Sequence, residues 1–186
     1  MNILAFESSC DETAVAVVRD GRQVLSDAIL SQADMHALYG GVVPEIASRK
    51  HVQAIAALSD KALADAGLTK KDVDAVAVTY APGLIGAVLV GVSFAKSAAY
   101  ALGVPLIPVH HVRGHIAANY LAFPELEPPF VALAISGGNT LIVECPAAEQ
   151  AQVEHLLTEE MEQAVNLSVP LIAEAHSGKN WLAAKE

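Results

Sequence analysis

Residues 75–95 contain no charged side chain, and this stretch constrains the fold more than any other part of the chain. A continuous apolar run of that length could cross a membrane as one helix. The run is interrupted by Pro82-Gly83, which is typical of a turn. We therefore predict a buried strand over residues 74–79 and a largely covered helix over residues 84–102, and we expect no membrane span.

The rest of the pattern predicts further strands and helices. Strands are expected over residues 3–6, 13–18, 23–29, 105–109, 130–135 and 140–143, with Asp20-Gly21 as the turn of a hairpin. Helices are expected over residues 44–66 and 111–121; the first has Pro44 in its first turn and Gly67 at its end. The inward stripe of that first helix is Val52, Ile55, Ser59, Ala62 and Ala66.

The character of the chain changes after Glu144. Residues 1–144 hold 14 acidic and 9 basic side chains, whereas residues 145–186 hold 7 and 2, so each part carries a net charge of −5. Residues 147–166 are acidic and amphipathic, and a short strand is expected over residues 169–173. The apolar face of this helix consists of Val153, Leu156, Leu157, Met161, Ala164 and Val165.

Charge and cysteine content limit the class of protein. A net charge of −10 leaves no large basic footprint for nucleic acid, so a nucleic-acid partner would need another subunit. Cys10 and Cys145 match no zinc or redox spacing, which favours a reducing cytosol. Acidic residues from Glu7 to Glu12 interrupt any signal peptide, and we expect a cytoplasmic location.

His111 and His115 are the strongest candidates for chemistry. They lie four residues apart, so on a helix their imidazoles share one face and could bind one metal ion. A third ligand would have to come from elsewhere, and the alternative is a pair of hydrogen-bonded histidines at a helix start. Zinc proteases carry Glu directly after the first histidine; Val112 stands there, which argues against a protease.

Several loops could contact an anion or could be plain turns. Glycine allows backbone amides to approach phosphate in residues 40–44, 82–86 and 136–140, but neither a Walker A loop nor a dinucleotide fingerprint is present. Residues 7–12 crowd three carboxylates and two serines between two strands. That loop is either a solvated hairpin loop or an anchor for a metal-bound phosphate.

Five segments in order resemble the TsaD family of tRNA N(6)-adenosine threonylcarbamoyltransferases, formerly called glycoproteases. They are ILAFESSCDET, GVVPEIASRKH, YAPGLIG, HHVRGH and SGG. The resemblance implies an α/β fold, the N-terminal lobe of an actin-like ATPase (Hsp70/actin, ribonuclease H-like) with a mixed sheet and flanking helices. It also implies transfer of a threonylcarbamoyl group from its ATP-derived adenylate to an anticodon-adjacent adenosine of tRNA.

Site residues and partners follow from the same resemblance. His111 and His115 would bind a divalent metal, iron or zinc; Asp11 and Glu12 would be catalytic. The threonylcarbamoyl-adenylate would be bound by Ala134, Ile135, Ser136, Gly137 and Gly138. Asn139 departs from the family, which has His there. The expected partners are tRNA, a paralogous actin-like subunit and the ATPase of the transfer complex, with neither membrane nor DNA.

The last part of the chain has a different resemblance. Residues 141–146, the amphipathic helix and residues 169–181 resemble the C-terminal tail of a family A bacterial DNA polymerase, whose catalytic carboxylates lie upstream of that tail. We therefore expect a chimera of a lobe over residues 1–144 and a helix-strand tail over residues 145–186, without the second lobe that supplies a further aspartate ligand. The hypotheses are an impaired transferase, a catalytically inactive lobe that binds a partner subunit, and a metalloprotease, which Val112 disfavours.

Overall fold

The amino-terminal strands form because alternating apolar residues are separated by turns that reverse the chain. In the computed structural model, β1 (Asn2–Glu7), β2 (Glu12–Arg19) and β3 (Gln23–Ser31) run antiparallel. Asp20 and Gly21 have φ angles of 53° and 72°, the left-handed conformations that a tight hairpin requires. The structure describes residues 1–127, Ala132, Ala134 and residues 150–163.

Two parallel strands extend this hairpin into a mixed sheet. β4 (Ala75–Ala81) pairs with β1, and β5 (Leu106–His110) pairs with β4, so the strand order is β3-β2-β1-β4-β5. All five strands predicted within residues 1–127 are present. The mixed sheet with its flanking helices confirms the predicted α/β lobe.

Helices connect the strands of the sheet, and two of them pack on β2, β3 and β4. α1 (Ala33–Ala37) is followed by α2 (Pro44–Asp65), α3 (Ile85–Leu102) and α4 (His111–Ala122), and a 3-10 turn spans Lys70–Asp72. α2 packs on β2 and β3, α3 packs on β4, and the two helices contact each other. The buried core between them includes Leu4, Phe6, Val15, Val17, Ile55, Ala62, Leu63, Val76, Val78 and Ala95.

Local sequence signals explain the helix ends. Pro44 is the first residue of α2, where its missing N–H costs no intrahelical bond. Gly67 and Gly103 follow α2 and α3 with φ of 67° and 69°, a conformation that favours glycine. The predicted bounds of α2, α3 and α4 are thereby confirmed to within one or two residues, whereas α1 and the 3-10 turn were not predicted.

The predicted inward stripe of α2 is wrong at its first position. Val52 is 62% exposed, and the neighbouring His51 is fully buried in its place. Ile55, Ser59 and Ala62 are buried as expected. His51 takes the inward position because Thr13 of β2 and the Cys10 carbonyl of the preceding loop offer hydrogen-bond partners to its two ring nitrogens.

The prediction that α3 is largely covered is also wrong. Its buried residues are a stripe of small side chains four residues apart, Ala87, Gly91, Ala95 and Ala99. Several large apolar side chains are exposed: Ile85 is 89% exposed and Tyr100 is 91% exposed, whereas Phe94 is half-buried and packs edge-on against Phe6. By length and composition alone α3 could span a membrane, although it packs against β4 and α2 as sheet-covering helices do.

The chain divides into two compact units, Met1–Leu126 and Glu127–Glu186. In the second unit, α5 (Gln150–Gln163) lies within the predicted amphipathic segment. On its apolar face Val153 is half-buried and Leu156 is exposed. The predicted strands over residues 130–135, 140–143 and 169–173 lie outside the described residues, apart from Ala132 and Ala134.

Candidate metal centre and active-site loop

The parallel strands place polar side chains together at one edge of the sheet. β1, β4 and β5 run in the same direction, so their carboxyl ends meet at that edge. Glu7 ends β1, Thr79 lies near the end of β4, and His111 follows β5 as the first residue of α4. Crevices beyond the carboxyl ends of parallel strands are the usual place for a ligand in α/β sheets.

His111 and His115 converge as the sequence predicts. Their Nε2 atoms lie 3.1 Å apart, and the rings are nearly perpendicular at 81°. Two nitrogens that bind the same tetrahedral zinc ion, each at about 2.0–2.1 Å, are about 3.3 Å apart. The spacing of the two Nε2 atoms therefore fits coordination of one shared metal ion. Within the described residues, however, no group of three His, Cys, Asp or Glu side chains could hold a metal ion.

The other ring nitrogen of His111 contacts Glu7. Glu7 Oε2 lies 3.2 Å from His111 Nδ1, and Ser9 Oγ lies 3.3 Å from the same nitrogen. Burial raises the pKa of Glu7, but hydrogen bonds from Ser9, Thr79 and His111 outweigh it and hold the pKa below its ordinary value. Glu7 is therefore an ionised acceptor, and Nδ1 of His111 carries the proton of their hydrogen bond.

Three consecutive carbonyls fix the loop between β1 and β2. The carbonyl of Ser9 accepts the Leu84 N–H at 2.8 Å, and that of Asp11 accepts the Gln32 N–H at 3.0 Å. Between them, the carbonyl of Cys10 accepts Nε2–H of His51 at 3.0 Å. The donors come from the turn before α3, the end of β3 and α2, so three separate elements hold this loop.

His51 supports this loop structurally, and its buried position was not predicted from the sequence. Its Nδ1 lies 2.7 Å from Thr13 Oγ1, so both ring nitrogens are paired although the side chain is fully buried. A signal was present, because position 51 fits the helical series of Ile55, Ser59 and Ala62 as well as position 52 does. A preference for apolar residues led to Val52 instead.

Close backbone packing fixes the loop against α3. Ser8 Oγ donates to the Ala87 carbonyl at 2.9 Å. A Cβ at Gly91 would lie 2.3 Å from Ser8 Oγ, and one at Gly83 would lie 2.6 Å from the Ser9 carbonyl oxygen. Gly83 and Gly91 therefore make room for the loop itself, whereas Gly86 makes room for Ser48 of α2, so the first role of these glycines is packing.

Of the remaining predicted site residues, the structure describes Asp11, Glu12 and Ala134. Asp11 is half-buried on the same loop, and Glu12 is exposed at the start of β2. Cys10 is exposed, and desolvation of its sulfur together with the adjacent Asp11 carboxylate raises the pKa of the thiol, which disfavours a reactive thiolate. Ala134 is half-buried in the second unit, and Ile135, Ser136, Gly137 and Gly138 lie outside the described residues.

His110 directly precedes His111 and makes a contact of another kind. Its Nδ1 is a buried polar atom that lacks a hydrogen-bond partner within the described part of the chain. Burial, followed by the nearby charge of Arg113 and by His111, lowers the pKa of His110. Its ring lies edge-on to Tyr80 at 6.3 Å, and we assign it no chemical role.

Residues 23–178 match the model of the family "TsaD: tRNA N6-adenosine threonylcarbamoyltransferase". The chain belongs to this family. Curated TsaD relatives of the same description come from Clostridium novyi, 59% identical over 143 residues, and Clostridium perfringens, 60% identical over 141 residues. These alignments cover 77% and 76% of this chain but 42% of each relative, so the chain spans less than half of their length.

Solved structures with a similar arrangement include YeaZ from Pseudomonas aeruginosa. That structure has a TM-score of 0.44 and 25% identity, and the match covers 59% of this chain and 43% of YeaZ. A second is Thermus thermophilus RuvC in complex with a Holliday junction substrate, with a TM-score of 0.40 and 17% identity, covering 61% of this chain and 66% of RuvC. The TsaD assignment rests on the family match and on the curated relatives.

Proposed function

We propose that this TsaD chain takes part in tRNA modification as the lobe that carries the metal-binding histidines. The reaction would move a threonylcarbamoyl group from threonylcarbamoyl-adenylate to the exocyclic amine of an anticodon-adjacent adenosine. The observation that carries this proposal is the convergence of His111 and His115 Nε2 beside the loop of residues 7–12, in a chain of this family.

The reaction would proceed by attack of the adenosine amine on the carbonyl carbon of the threonylcarbamoyl group. The bond to the adenylate phosphate breaks, AMP leaves, and the amine loses a proton. Asp11 and Glu12 carry carboxylates on the neighbouring loop, and we assign them to accept that proton. The loop bonds described above would keep these carboxylates at the sheet edge during the transfer.

His111 and His115 would hold a divalent metal, iron or zinc, through their Nε2 atoms. A metal bound there would act as a Lewis acid that polarises a carbonyl oxygen of the acyl donor. The adenylate itself would lie against Ala134, Ile135, Ser136, Gly137 and Gly138, as the family resemblance implies. The two imidazoles supply only part of a metal's coordination, so further ligands must join them.

The partners we propose are tRNA, a paralogous actin-like subunit and the ATPase of the transfer complex. The net charge of −10 means that basic residues of a partner must contribute to tRNA binding. The exposed apolar side chains of α3, among them Ile85, Leu89 and Tyr100, support docking of a protein subunit there. We place the protein in the cytoplasm, because the spacing of Cys10 and Cys145 favours a reducing compartment.

Metal analysis provides the first test. The purified chain should contain one equivalent of iron or zinc, or bind one when it is supplied, and His111→Ala should lose it. His155→Ala removes an exposed histidine of α5 and serves as the matched control, with its metal content unchanged. Equal metal content in both variants would contradict the proposed site.

Transfer of labelled threonylcarbamoyl to tRNA provides the second test. In a mixture of this chain, the partner subunits, ATP-derived adenylate and tRNA, label should appear in tRNA and should require His111. Absence of label with all components present would refute the transferase.

The alternative is a catalytically inactive lobe that only binds the paralogous subunit. The exposed face of α3 favours it, because that face needs no metal. It predicts a stable complex with the subunit in which His111→Ala has no effect and no label reaches tRNA.

A further inference from the structure

We propose that Glu7 is a positioning residue for the metal site: its carboxylate fixes the tautomer and orientation of His111, so that Nε2 is free to bind the metal. This inference rests on the metal site proposed above. Glu7 belongs to β1, a central strand of the sheet, whereas both metal ligands belong to α4. The contact between Glu7 and His111 therefore joins α4 to the central strand of the sheet.

The Glu7 carboxylate is held on both of its oxygens. Oε1 accepts the backbone N–H of Ser9, and Oε2 lies 3.2 Å from His111 Nδ1. The Thr79 side chain adds a further hydrogen bond from β4. A carboxylate with these partners cannot rotate freely, so it defines the direction in which the His111 ring must lie.

The chemistry of the acceptor decides the position of the proton. A carboxylate can only accept a hydrogen bond, so Nδ1 of His111 must carry the proton and Nε2 must carry the lone pair. Ser9 Oγ, 3.3 Å from Nδ1, can either donate or accept and so cannot impose a tautomer by itself. Of the two described groups that contact Nδ1 of His111, Glu7 is the one that forces a single arrangement.

The position of Glu7 makes it a support and not a ligand. It contacts Nδ1, whereas His115 approaches the opposite ring nitrogen, with 3.1 Å between the two Nε2 atoms. The imidazole therefore separates the carboxylate from the place where the metal would lie. Carboxylates in this relation to a ligating histidine typically raise metal affinity by 10–100-fold.

The tautomer can be measured without any metal. In the metal-free 186-residue chain, ring ¹⁵N shifts of His111 at pH 8 should show a protonated Nδ1 and an unprotonated Nε2. In Glu7→Gln this preference should be lost, because an amide can donate to Nδ1 as well as accept from it. An unchanged pattern in Glu7→Gln would overturn the proposal.

Zinc affinity, measured by competition with a chromophoric chelator, is the second readout. Glu7→Gln should bind zinc 10–100-fold more weakly than wild type. Glu45→Gln, the same change at an exposed carboxylate of α2, should match wild type. If Glu7→Gln binds zinc as tightly as wild type, Glu7 does not have this role.

Two further results need an interpretation: a Glu7→Gln variant that does not fold, and a wild type that binds no metal. Should Glu7→Gln fail to fold, Glu7→Asp retains the charge but withdraws the carboxylate by one methylene, and it should show the same loss of tautomer preference and of zinc affinity. Should wild type bind no zinc and no iron, the proposed metal site fails. The ring shifts of His111 still decide whether Glu7 sets its tautomer.

Discussion

The loop edge of the sheet and the outer face of α3 distribute polarity in opposite ways. At the loop edge, polar side chains are buried and hydrogen-bonded, including Ser8, Thr13 and His51. On α3, the large apolar side chains of Ile85, Leu89 and Tyr100 are exposed, while the buried stripe consists of small residues. Buried polar groups are costly unless they are paired, so the first region is built to hold a defined geometry, whereas the second is built to be covered.

Replacing His51 by Leu should cause the largest loss of stability among the changes at the loop edge. The change leaves the Cys10 carbonyl and the Thr13 hydroxyl unpaired in a buried place, and we expect a loss of about 2–5 kcal/mol in the free energy of unfolding. Urea denaturation measures the loss. The adjacent Val52→Leu, at an exposed position, should change stability by at most about 0.5 kcal/mol. Similar losses in the two variants would show that the buried histidine is not a structural brace.

Gly91→Ala should have the next largest effect. The added Cβ would lie 2.3 Å from Ser8 Oγ, and overpacking of this kind costs about 1–3 kcal/mol despite the better helix propensity of alanine. Gly114→Ala, in α4, is the matched control, because its Cβ would meet its nearest atom at 3.9 Å.

A double-mutant cycle sharpens this test. In a Ser8→Ala background the nearest remaining contact of the new Cβ is Ser8 Cβ at 3.4 Å, so Gly91→Ala should cost at least about 1 kcal/mol less there. Additive effects in thermal or urea unfolding would contradict direct packing of the loop on α3.

The pH dependence of stability should report Glu7. Its pKa is lowered in the folded state, so its contribution is fully present above its unfolded pKa, near 4.5, and is lost as pH falls through the folded value. Between pH 6 and 8 the free energy of unfolding of wild type should exceed that of Glu7→Gln by about 1 kcal/mol. The difference is this small because one third of the Glu7 side chain is exposed to solvent. The difference should shrink below pH 4.5. A difference that stays constant down to pH 3 would contradict the assignment of the shift to Glu7.

Substitutions on the outer face of α3 should affect folding least. Ile85→Ser and Tyr100→Ser remove side chains that are about nine-tenths exposed, so the free energy of unfolding should change by no more than about 0.5 kcal/mol. Binding of the paralogous subunit, followed by sedimentation or calorimetry, should nevertheless weaken at least tenfold. Unchanged binding would show that the proposed subunit docks elsewhere.

The fold of residues 1–127 could be predicted from the sequence to a large extent. Pro44, Gly67 and the Pro82-Gly83 turn mark boundaries by backbone chemistry that does not depend on the rest of the molecule. α1 was missed, because five residues are too few for a periodic pattern. Asp20-Gly21 predicted the hairpin of β2 and β3, whereas the order of the five strands across the sheet and their register were not predicted.

Burial was harder to predict than secondary structure. Apolar residues all around α3 suggested a covered helix, but periodicity does not reveal whether a covering surface is present. The same limit applied to α2, where hydrophobicity favoured Val52 over His51. The His111 and His115 pair was predictable from its spacing on α4, whereas its contact with Glu7, 104 residues away along the chain, required the parallel pairing of β1, β4 and β5.

The three bound carbonyls of residues 9–11 also affect the entropy of ligand binding. A loop tied to three elements loses its conformational freedom when the lobe folds, and not when a ligand arrives. A substrate that contacts Asp11 or Glu12 therefore meets a preorganised surface. Its binding free energy is reduced less by the entropy cost of ordering the loop. The amide protons of Leu84 and Gln32, which donate to this loop, should exchange slowly with solvent even before any substrate is bound.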